Sequence, residues 1–531
     1  MPRFKHGIVV AAHPLAARAG VDILKKGGNA VDAAAATALA LGTVTPAFCG
    51  IGGGGFALIW LASEERAIFV DFRERAPLAS KEDMFRISPT GKVFRNENSI
   101  GYKSVAVPGS VAGHSLMIEK YGKLRLKDVL EPATKYARNG FEVSRTMAYV
   151  WSRSVSKLRP FRESRTIYLK RGRPYREGDK ICLRDLAKTF ASVAKHGPDE
   201  FYNGRISKTI SEDMASNDGR LSPEDLERYT PTIRDPIRGT YGGYEVLSAP
   251  PPSSGGAIVL QTLNMLEGYQ LKGSGHNSPR ALHLISEALM RSCSSIRPRI
   301  CDPDLSQIAM SELVSKDIAR KSAASIMPDK ASNSIESSGI RSADASNTSH
   351  LTVIDSERNV VALTESVESY FGSGVVVPGT GILLNDTMGD FEASPGRLNS
   401  VGPWKVPMSS MCPTLVMKDG RPFMAVGSAG ATRIVSSILQ TILNILEFDM
   451  SAESAVAASR IHTKDSLIQV ESGVERGSVE KLREIGHLVE SKRRSSERLY
   501  FGGVHLALVS SENGELEGGA DPRRDGTALG H

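Results

Sequence analysis

Cysteine is scarce in this chain, and its few positions form no pattern. Only five cysteines occur in 531 residues, with no CxxC pair and no pair of histidines at metal-ligand spacing. An odd number of cysteines cannot complete a disulfide framework. These absences favour a reducing compartment, and they imply neither a metal site nor a cofactor.

Long apolar runs are also missing. A membrane-spanning helix needs about 18 or more consecutive apolar residues, and no such run occurs. Only a few apolar residues follow the opening segment 1–7, which is too little for the core of a signal peptide. We therefore expect a cytoplasmic protein without a membrane partner.

The excess of positive charge is small. The net charge is +7, from 66 basic and 59 acidic residues. The short basic clusters at 492–494 and 523–524 lack the interleaved aromatic side chains that nucleic-acid binding favours. We expect no nucleic-acid partner, and the mild positive charge fits attraction of an anionic small molecule.

The length and the apolar spacing predict two structural units of mixed helix and strand. The chain exceeds the roughly 250–300 residues that one hydrophobic core usually serves. Apolar spacing predicts a helix at 14–26, ended by Gly27-Gly28, and a buried helix of small residues at 30–41. The other predicted elements are strands at 56–60 and up to Phe72, a mainly helical region at 105–230, a strand at 241–246, and helices at 257–266 and 279–290.

A glycine run at 50–55 separates the second helix from the first of these strands. A dinucleotide-binding loop has the opposite order, with a strand before its glycines and a helix after them. The preferred interpretation is therefore close backbone packing near a pocket.

The most informative junction lies where a serine-rich run, 332–346, gives way to Asn347 and Thr348. The sequence loses helical periodicity from Asp317 onward, which predicts a mobile, exposed segment as far as Asn347. A Thr that starts a strand becomes a self-contained catalyst when the bond before it is cut. Its hydroxyl is a nucleophile, and its new α-amine, with a pKa of about 7.7–8.0, can act as the base.

The two strands after this junction predict a second hydroxyl beside Thr348. Apolar runs at 351–355 and 360–364 are joined by a four-residue hairpin loop. With Asp355 placed opposite Val360, Thr348 comes opposite Val367, within one residue, so Ser366 becomes its expected neighbour. The period of two places Thr364, Ser366 and Glu368 on one strand face.

A series of motifs, in order along nearly the whole chain, resembles the γ-glutamyltransferase family. Among them are Asp71-Phe72-Arg73-Glu74 and Thr348-Ser349-His350. One such motif alone would be a weak signal, whereas many in the same order are a strong one. The matching segments are 9–16, 27–34, 71–74, 107–110, 251–256, 348–350, 371–374, 384–385, 407–411 and 521–524.

The resemblance implies an α+β fold, the four-layer αββα sandwich of the N-terminal nucleophile hydrolases. It also implies an inactive precursor that cuts itself between Asn347 and Thr348. The products would be a large subunit, 1–347, and a small subunit, 348–531, that stay packed together. Whether such heterodimers assemble into a homo-oligomer is left open.

The same resemblance assigns roles to residues of this sequence. Thr348 matches the nucleophile, and Ser366 matches a hydroxyl residue, usually Thr, that hydrogen-bonds it. Gly430 and Ala431 match a glycine pair whose backbone N–H groups form the oxyanion hole. In the binding site, Arg73 matches the residue that holds the substrate α-carboxylate, Ser409 and Ser410 match hydroxyl donors to it, and Asp390 matches the acceptor for the α-ammonium.

Three departures from the family pattern leave the acyl group open. Among the residues that the resemblance places in the substrate-binding site, Glu368 stands where Asn is frequent, and Thr387 stands where Gln is common. Glu368, if close to Asp390, would add negative charge that faces an ammonium. The stretch from Asp390 to Ser409 is short for a lid loop, which favours bulkier acyl donors and hydrolysis over transfer.

The leading functional hypothesis is a γ-glutamyl hydrolase or transferase that cleaves glutathione or related γ-glutamyl amides. A first alternative keeps the fold and mechanism but changes the substrate, as in a cephalosporin-acylase-like or poly-γ-glutamate-processing amidase. A second alternative, from a different class, is an uncleaved pseudoenzyme with a binding role.

Overall fold

The structure of the chain is a computed structural model that describes residues 3–306, 308–332, 346–492, 499–510 and 513–531. Most of the serine-rich run, 333–345, lies outside these ranges, as do Arg493 and Arg494 of one basic cluster.

Seven strands form the first sheet, in which every neighbouring pair is antiparallel. The two strands of the predicted hairpin lie at the centre of this sheet. In spatial order the strands are Thr527–Gly530, Ile8–Ala11, Ser346–Ile354, Val360–Ser369, Gly54–Leu61, Arg66–Phe72 and Thr232–Arg234.

Six strands form the second sheet, again with antiparallel neighbours. In spatial order these are Leu516–Ala520, Gly503–Val509, Arg421–Ala429, Thr414–Lys418, Tyr244–Ser248 and Ile237–Tyr241.

The two sheets pack face to face through alternate residues of their strands. Phe56, Leu58 and Ile354 of the first sheet share one buried cluster with Val426 and Leu506 of the second. Residues of opposite parity on the first sheet belong to a different cluster, under a layer of helices. Because both faces of each sheet are covered, the strands are nearly continuous apolar runs.

A layer of helices covers the outer face of the first sheet. The helix Ala30–Val44 is buried along its whole length, since its small side chains allow close approach on every side. Asn29 begins this helix with a capping box that it completes with Asp32. The other helices of this half are Pro14–Lys25, Ser110–Tyr121, Leu126–Asn139, Arg145–Leu158, Arg162–Tyr168, Arg184–His196, Asp199–Tyr202, Arg205–Ser216 and Pro223–Arg228.

A second layer of helices covers the outer face of the second sheet, chiefly Gly255–Leu266 and Arg433–Leu446, and Pro279–Ile296 packs against the first of these. The remaining helices are Leu271–Ser274, Met310–Leu313, Lys316–Ala323, Ala452–Ala457 and Arg476–Glu484, with short 3-10 turns at Phe94–Asn96, Tyr102–Ser104, Arg297–Arg299 and Thr387–Asp390. Small sheets pair Ile461–Lys464, Leu467–Val470 and Leu488–Ser491, Phe141–Glu142 with Lys180–Ile181, and Leu169–Lys170 with Arg173–Pro174.

The order helix, sheet, sheet, helix confirms the predicted four-layer αββα sandwich. The first two predicted helices and the helical region at 105–230 are also confirmed, with small differences at the ends of elements.

The predicted loss of helical structure from Asp317 onward is wrong for the first part of the segment, although most of its residues are exposed as predicted. Lys316–Ala323 is a helix that Ser315 caps through a hydrogen bond to the backbone N–H of Ile318. Ala319, Ile326 and Ala331 are buried among the helices beside the second sheet. The capping serine and one small apolar face are enough to fold the segment, because a neighbouring helix supplies the packing surface.

Within the described ranges, no helix combines the length and the apolar character that crossing a bilayer requires. All five cysteines are free thiols.

Candidate active site

The candidate nucleophile and its predicted hydroxyl partner lie directly opposite each other on the two central strands. Thr348 pairs with Ser366 in the ladder, and the Thr348 Oγ1 and Ser366 Oγ atoms are 3.5 Å apart. Both side chains are buried. Ser366 Oγ also accepts a hydrogen bond of 2.8 Å from the backbone N–H of Glu368, so it connects Thr348 to the next residue of the site.

The hairpin register differs by one residue from the predicted alignment, within its stated margin. Ile354, rather than Asp355, lies opposite Val360. The Asp355 carboxylate accepts hydrogen bonds of 2.9 Å from the backbone N–H groups of Glu357 and Asn359. Asp355 therefore closes the loop, and the shift moves Ser366 from the neighbourhood of Thr348 to the position opposite it.

The glycine run lies against the partner strand. Gly54 pairs with Ser366, and a Cβ atom on Gly53 would lie 2.0 Å from the Ser366 carbonyl oxygen. Only glycine permits this approach. The run is thus a close backbone contact beside the candidate nucleophile, as the sequence predicted.

The alternation of the strand places Thr348 on the face toward the second sheet. His350, two residues further along, lies so close to Gly427 of the second sheet that a Cβ atom there would meet the His350 ring at 2.2 Å. Residues two apart on a strand share a face. Thr348 therefore faces the space between the sheets, at the end where the strand begins.

Arg73 follows the strand Arg66–Phe72 and is almost fully buried. Its guanidinium donates to the Asp390 carboxylate and, at 3.3 Å, to the Met408 carbonyl oxygen. The Glu74 carboxylate lies 3.4 Å away and that of Glu368 lies 4.0 Å away. We call Arg73, Glu74, Glu368 and Asp390 the carboxylate cluster, since three carboxylates surround one guanidinium.

Glu74 is a site residue for which the sequence analysis gave no role. Its carboxylate is completely buried and accepts a hydrogen bond of 2.9 Å from the Thr387 hydroxyl. Burial raises the pKa of Glu74 to about 7, against the opposing effect of the Arg73 guanidinium. Its place directly after Arg73 was the available signal.

Glu368 and Asp390 are neighbours, so their two carboxylates lie close enough to face one ammonium group. Burial raises the pKa of Asp390 despite the Arg73 guanidinium and a hydrogen bond with the Glu368 side chain. Glu368 has a φ of +78°, an unfavourable conformation for a residue with a Cβ atom. A strained residue held against a second carboxylate is typical of a functional site.

Thr387 is buried in the same region, but its hydroxyl donates to Glu74. The threonine therefore contacts the carboxylate cluster through Glu74, and its assignment to the substrate-binding site stays a prediction.

Ser409 and Ser410 lie beside the Met408 carbonyl oxygen that Arg73 contacts. The backbone of Ser409 is fixed by Pro252 and Ser254, and its hydroxyl accepts a hydrogen bond of 3.1 Å from the Met411 N–H. The Ser410 hydroxyl donates to the Ala431 carbonyl oxygen at 3.0 Å. Ser410 thus connects the arginine side of the site to the predicted oxyanion pair.

Gly430 and Ala431 form the turn between the strand Arg421–Ala429 and the helix Arg433–Leu446. Both have positive φ, +128° for Gly430 and +55° for Ala431. Within the described part of the chain, neither backbone N–H donates a hydrogen bond. Two backbone donors at the start of a helix suit an anionic oxygen.

Arg524 is a second neighbour of Thr348 that received no role from the sequence. Its guanidinium donates to the Thr348 carbonyl oxygen at 3.4 Å and lies over the Phe48 ring, 4.9 Å from the centroid. Its place in segment 521–524, one of the segments that resemble the family, was the signal in the sequence.

The predicted site residues therefore form one connected arrangement. From Thr348, contacts run through Ser366 and Glu368 to Arg73, and the Met408–Ser410 segment then leads to Ala431. The arrangement contains a hydroxyl, a cation, several carboxylates and backbone donors. These are the groups that acyl transfer from an amino-acid-like substrate requires.

Comparisons with known proteins agree with this arrangement. The profile of the gamma-glutamyltranspeptidase family matches residues 16–531. The "Glutathione hydrolase proenzyme" of Escherichia coli (strain K12) is 36% identical over 536 residues, which cover 98% of this chain and 91% of that protein.

Two solved structures are similar as well. The cephalosporin acylase from Bacillus halodurans has a TM-score of 0.91 at 27% identity, covering 100% of this chain and 96% of that one. The gamma-glutamyltranspeptidase of Helicobacter pylori has a TM-score of 0.61 at 35% identity, covering 63% of this chain and 95% of that one. The chain belongs to the gamma-glutamyltranspeptidase family and is an enzyme of the N-terminal nucleophile hydrolase fold.

Proposed function

We propose that this enzyme processes itself before Thr348 and then hydrolyses or transfers γ-glutamyl groups from amides such as glutathione. The observation that carries the proposal is the position of Thr348 opposite Ser366, whose hydroxyl accepts a hydrogen bond from Glu368 of the carboxylate cluster. This juxtaposition supplies a nucleophile and a site for an amino-acid head group in one place.

Self-processing would use the Thr348 hydroxyl first on the chain itself. Its Oγ1 attacks the carbonyl carbon of Asn347, the bond from that carbon to the Thr348 nitrogen breaks, and the nitrogen takes the hydroxyl proton. Water then hydrolyses the resulting ester, which frees Asn347 as a carboxylate and Thr348 as an N-terminal residue.

Catalysis would repeat this chemistry on the substrate. The free α-amine of Thr348 accepts the hydroxyl proton while Oγ1 attacks the γ-carbonyl carbon. The N–H groups of Gly430 and Ala431 stabilise the oxyanion, where loss of one donor typically costs about 2.7–4 kcal/mol in the barrier. The leaving amine takes the proton, and water or an acceptor amine then releases the acyl group.

The head group of the substrate would be bound by opposite charges at two points. The Arg73 guanidinium can hold the α-carboxylate, together with hydroxyl groups of Ser409 and Ser410. Asp390 and Glu368 would accept hydrogen bonds from the α-ammonium. A cation placed between these two carboxylates would favour the ionised form of Asp390, which burial opposes.

The substitution Thr348→Ala tests the whole proposal. It removes the nucleophile of both steps, so we expect one band near 57.1 kDa on a denaturing gel and no turnover of a γ-glutamyl anilide. Thr352→Ala is the matched control, since Thr352 lies on the same face of the same strand. It should give two bands and an active enzyme. Activity that survives Thr348→Ala would rule out the mechanism, and a wild-type chain that stays uncleaved would favour the pseudoenzyme alternative.

A second candidate function, an amidase for a different acyl group, has its own supporting observation. The short segment between Asp390 and Ser409 is fastened down by Asn399, whose side chain donates to the Asp390 carbonyl oxygen at 2.7 Å and accepts from the Met408 N–H at 3.0 Å. A short segment held in this way leaves the acyl site more open than a long lid loop would. The structural likeness to a cephalosporin acylase supports the same candidate.

Parallel assays with a γ-glutamyl anilide and a glutaryl anilide separate these candidates, because the two differ in the α-amino group. Preference for the γ-glutamyl compound supports the ammonium site, whereas preference for the glutaryl compound would contradict it. Cytoplasmic location stays a prediction from the sequence.

A further inference from the structure

A group of three metal-ligating side chains lies outside the candidate active site, among the helices beside the second sheet. His283, Glu287 and His487 each offer one ligand atom, and these atoms lie within 4.8 Å of one another. All three residues are buried, with exposed fractions of 1%, 0% and 5%. We propose that His283, Glu287 and His487 bind a divalent transition metal, with Zn²⁺ as the best match.

The spacing of the first two ligands follows from helix geometry. His283 and Glu287 are four residues apart on the helix Pro279–Ile296, so their side chains project from the same face. His487 approaches them from the loop between the helix Arg476–Glu484 and the strand Leu488–Ser491. Two imidazoles and a carboxylate, with water as a fourth ligand, make a typical Zn²⁺ donor set.

The orientation of His283 supports ligation. Its Nε2 donates to the Met327 carbonyl oxygen at 2.8 Å, so the neutral ring presents the lone pair of Nδ1. Nδ1 lies 2.7 Å from Nε2 of His487. A backbone carbonyl that fixes the far nitrogen of a histidine is the usual second partner of a metal-bound imidazole.

The carboxylate of Glu287 is also held in place. Its Oε2 pairs with the Arg291 guanidinium, while Oε1 accepts from the Ser332 N–H at 3.0 Å and lies 3.9 Å from Nδ1 of His487. A carboxylate oxygen has two lone pairs, so Oε1 can keep the Ser332 hydrogen bond and bind a metal with the other.

Metal binding would replace the hydrogen bond between the two rings by two metal–nitrogen bonds. The ring proton would move to Nδ1 of His487, which faces Glu287. Zn–N bonds of about 2.0–2.1 Å at a tetrahedral angle place two nitrogens roughly 3.3 Å apart. The rings therefore need to separate by only a few tenths of an ångström.

The site joins the segment before the predicted cut to the chain after it. His283 and Glu287 hold Met327 and Ser332, close to the end of the large subunit, whereas His487 belongs to the small subunit. Ala331 adds a backbone hydrogen bond of 2.7 Å to the Ile485 carbonyl oxygen. A bound metal would fasten the end of one fragment to the other, which is a structural role separate from catalysis.

The test uses untagged, full-length protein that is dialysed against a chelator and then titrated with ZnCl2 by calorimetry. We expect one Zn²⁺ per chain with micromolar or tighter affinity, and a higher midpoint of thermal unfolding in its presence. His487→Asn and His283→Asn should each weaken binding by roughly 100-fold or more, beyond the usual effect of losing an outer contact. His276→Asn is the matched control, since His276 lies just before the same helix but outside the group.

Binding by His487→Asn as tight as that of the wild type, or no uptake by the wild type, would overturn the proposal. If the variants do not fold, X-ray absorption of the Zn²⁺-loaded wild type decides. A first shell with two imidazole nitrogens supports the site, and a shell of oxygen atoms alone contradicts it. None of these measurements uses enzymatic activity, so their outcome is independent of the proposed function.

Discussion

Two buried clusters of charged side chains in this chain differ in the balance between positive and negative charges. The carboxylate cluster sets Glu74, Glu368 and Asp390 against the one guanidinium of Arg73. A second group, which we call the paired cluster, sets two arginines against two carboxylates, and its members are Arg460, Arg523, Asp521 and Glu471.

The paired cluster has the geometry of a structural network. Arg460 contacts Asp521 at 2.8 Å, and Arg523 contacts Asp521 at 3.1 Å and Glu471 at 2.6 Å. Asp521 also accepts hydrogen bonds from the backbone N–H groups of Val504 and Arg523, each of 2.9 Å. The network fixes the turn from which Arg524 reaches the Thr348 carbonyl oxygen.

The two clusters shift their carboxyl groups in opposite directions. In the paired cluster burial opposes ionisation of Asp521, but the guanidinium groups of Arg460 and Arg523 outweigh it and lower the pKa to about 2. In the carboxylate cluster burial prevails and raises the pKa of Glu74 to about 7. Balanced charge therefore stabilises the fold, while the excess of carboxylates is a cost that a bound cation would remove.

The largest expected effect comes from unbalancing the paired cluster. Asp521→Asn leaves the buried guanidinium of Arg460 without its carboxylate, so we expect the free energy of unfolding to fall by about 3–5 kcal/mol. Urea unfolding measures this, in the uncleaved Thr348→Ala background so that one chain unfolds. Asp419→Asn, at an exposed turn, is the control and should change stability by less than about 0.5 kcal/mol. Equal effects of the two changes would contradict the structural role of the pairing.

The pH dependence of stability should have opposite signs for the two clusters. The pKa of Glu74 is raised from 4.5 to about 7 in the folded state, so its contribution is present below pH 4.5 and is lost as the pH rises through 7, by about 3 kcal/mol. The pKa of Asp521 is lowered from 3.8 to about 2, so its contribution is present above 3.8 and is lost as the pH falls through 2.

Thermal unfolding between pH 2 and 9, again in the uncleaved background, measures both effects. Glu74→Gln should flatten the decline above about pH 5, and Asp521→Asn should flatten the acid side only. A Glu74→Gln profile parallel to that of the parent protein would show that folding does not raise the pKa of Glu74.

A smaller effect, on activity rather than stability, should follow a change in the carboxylate cluster. Asp390→Asn removes a charged partner of the substrate ammonium, so kcat/KM for a γ-glutamyl anilide should fall by roughly 10- to 150-fold, equivalent to about 1.5–3 kcal/mol of transition-state stabilisation. Stability should fall less than in Asp521→Asn, because Arg73 keeps Glu74 and Glu368 as carboxylate partners. Activity on a glutaryl anilide, which lacks the ammonium, serves as the control and should fall much less; a similar loss on both would argue against the ammonium site.

The smallest expected effect comes from Glu368→Asn, which moves the carboxylate cluster toward balance. We expect a several-fold increase in KM for the γ-glutamyl anilide, equivalent to about 1 kcal/mol. The melting temperature should rise slightly, since Asn accepts positive φ more easily than Glu and Glu368 has a φ of +78°. An unchanged KM would leave Asp390 as the sole anionic partner of the ammonium.

The sequence alone predicted the part of the site that depends on local geometry. The position of Ser366 near Thr348 followed from strand alternation and a short hairpin, and both are properties of neighbouring residues. The glycine run was likewise identified as a close backbone contact.

The rest of the site could not be read from local patterns. Arg73 and Asp390 are 317 residues apart, and their contact depends on the order of strands in the first sheet. Their roles came from the family resemblance. Glu74 and Arg524 stayed unassigned because no periodicity marks a buried charge. The helix at Lys316–Ala323 was not predicted because it depends on a neighbouring helix for its packing surface.

The strand Ile8–Ala11 has a consequence for refolding. It lies between Ser346–Ile354 and Thr527–Gly530, so a strand of the predicted large fragment is interleaved with two strands of the small one. A cut before Thr348 turns an intramolecular folding problem into the association of two chains. The mature enzyme would then regain its structure at a rate that depends on concentration, and its lifetime would be set by how slowly the interleaved sheet opens.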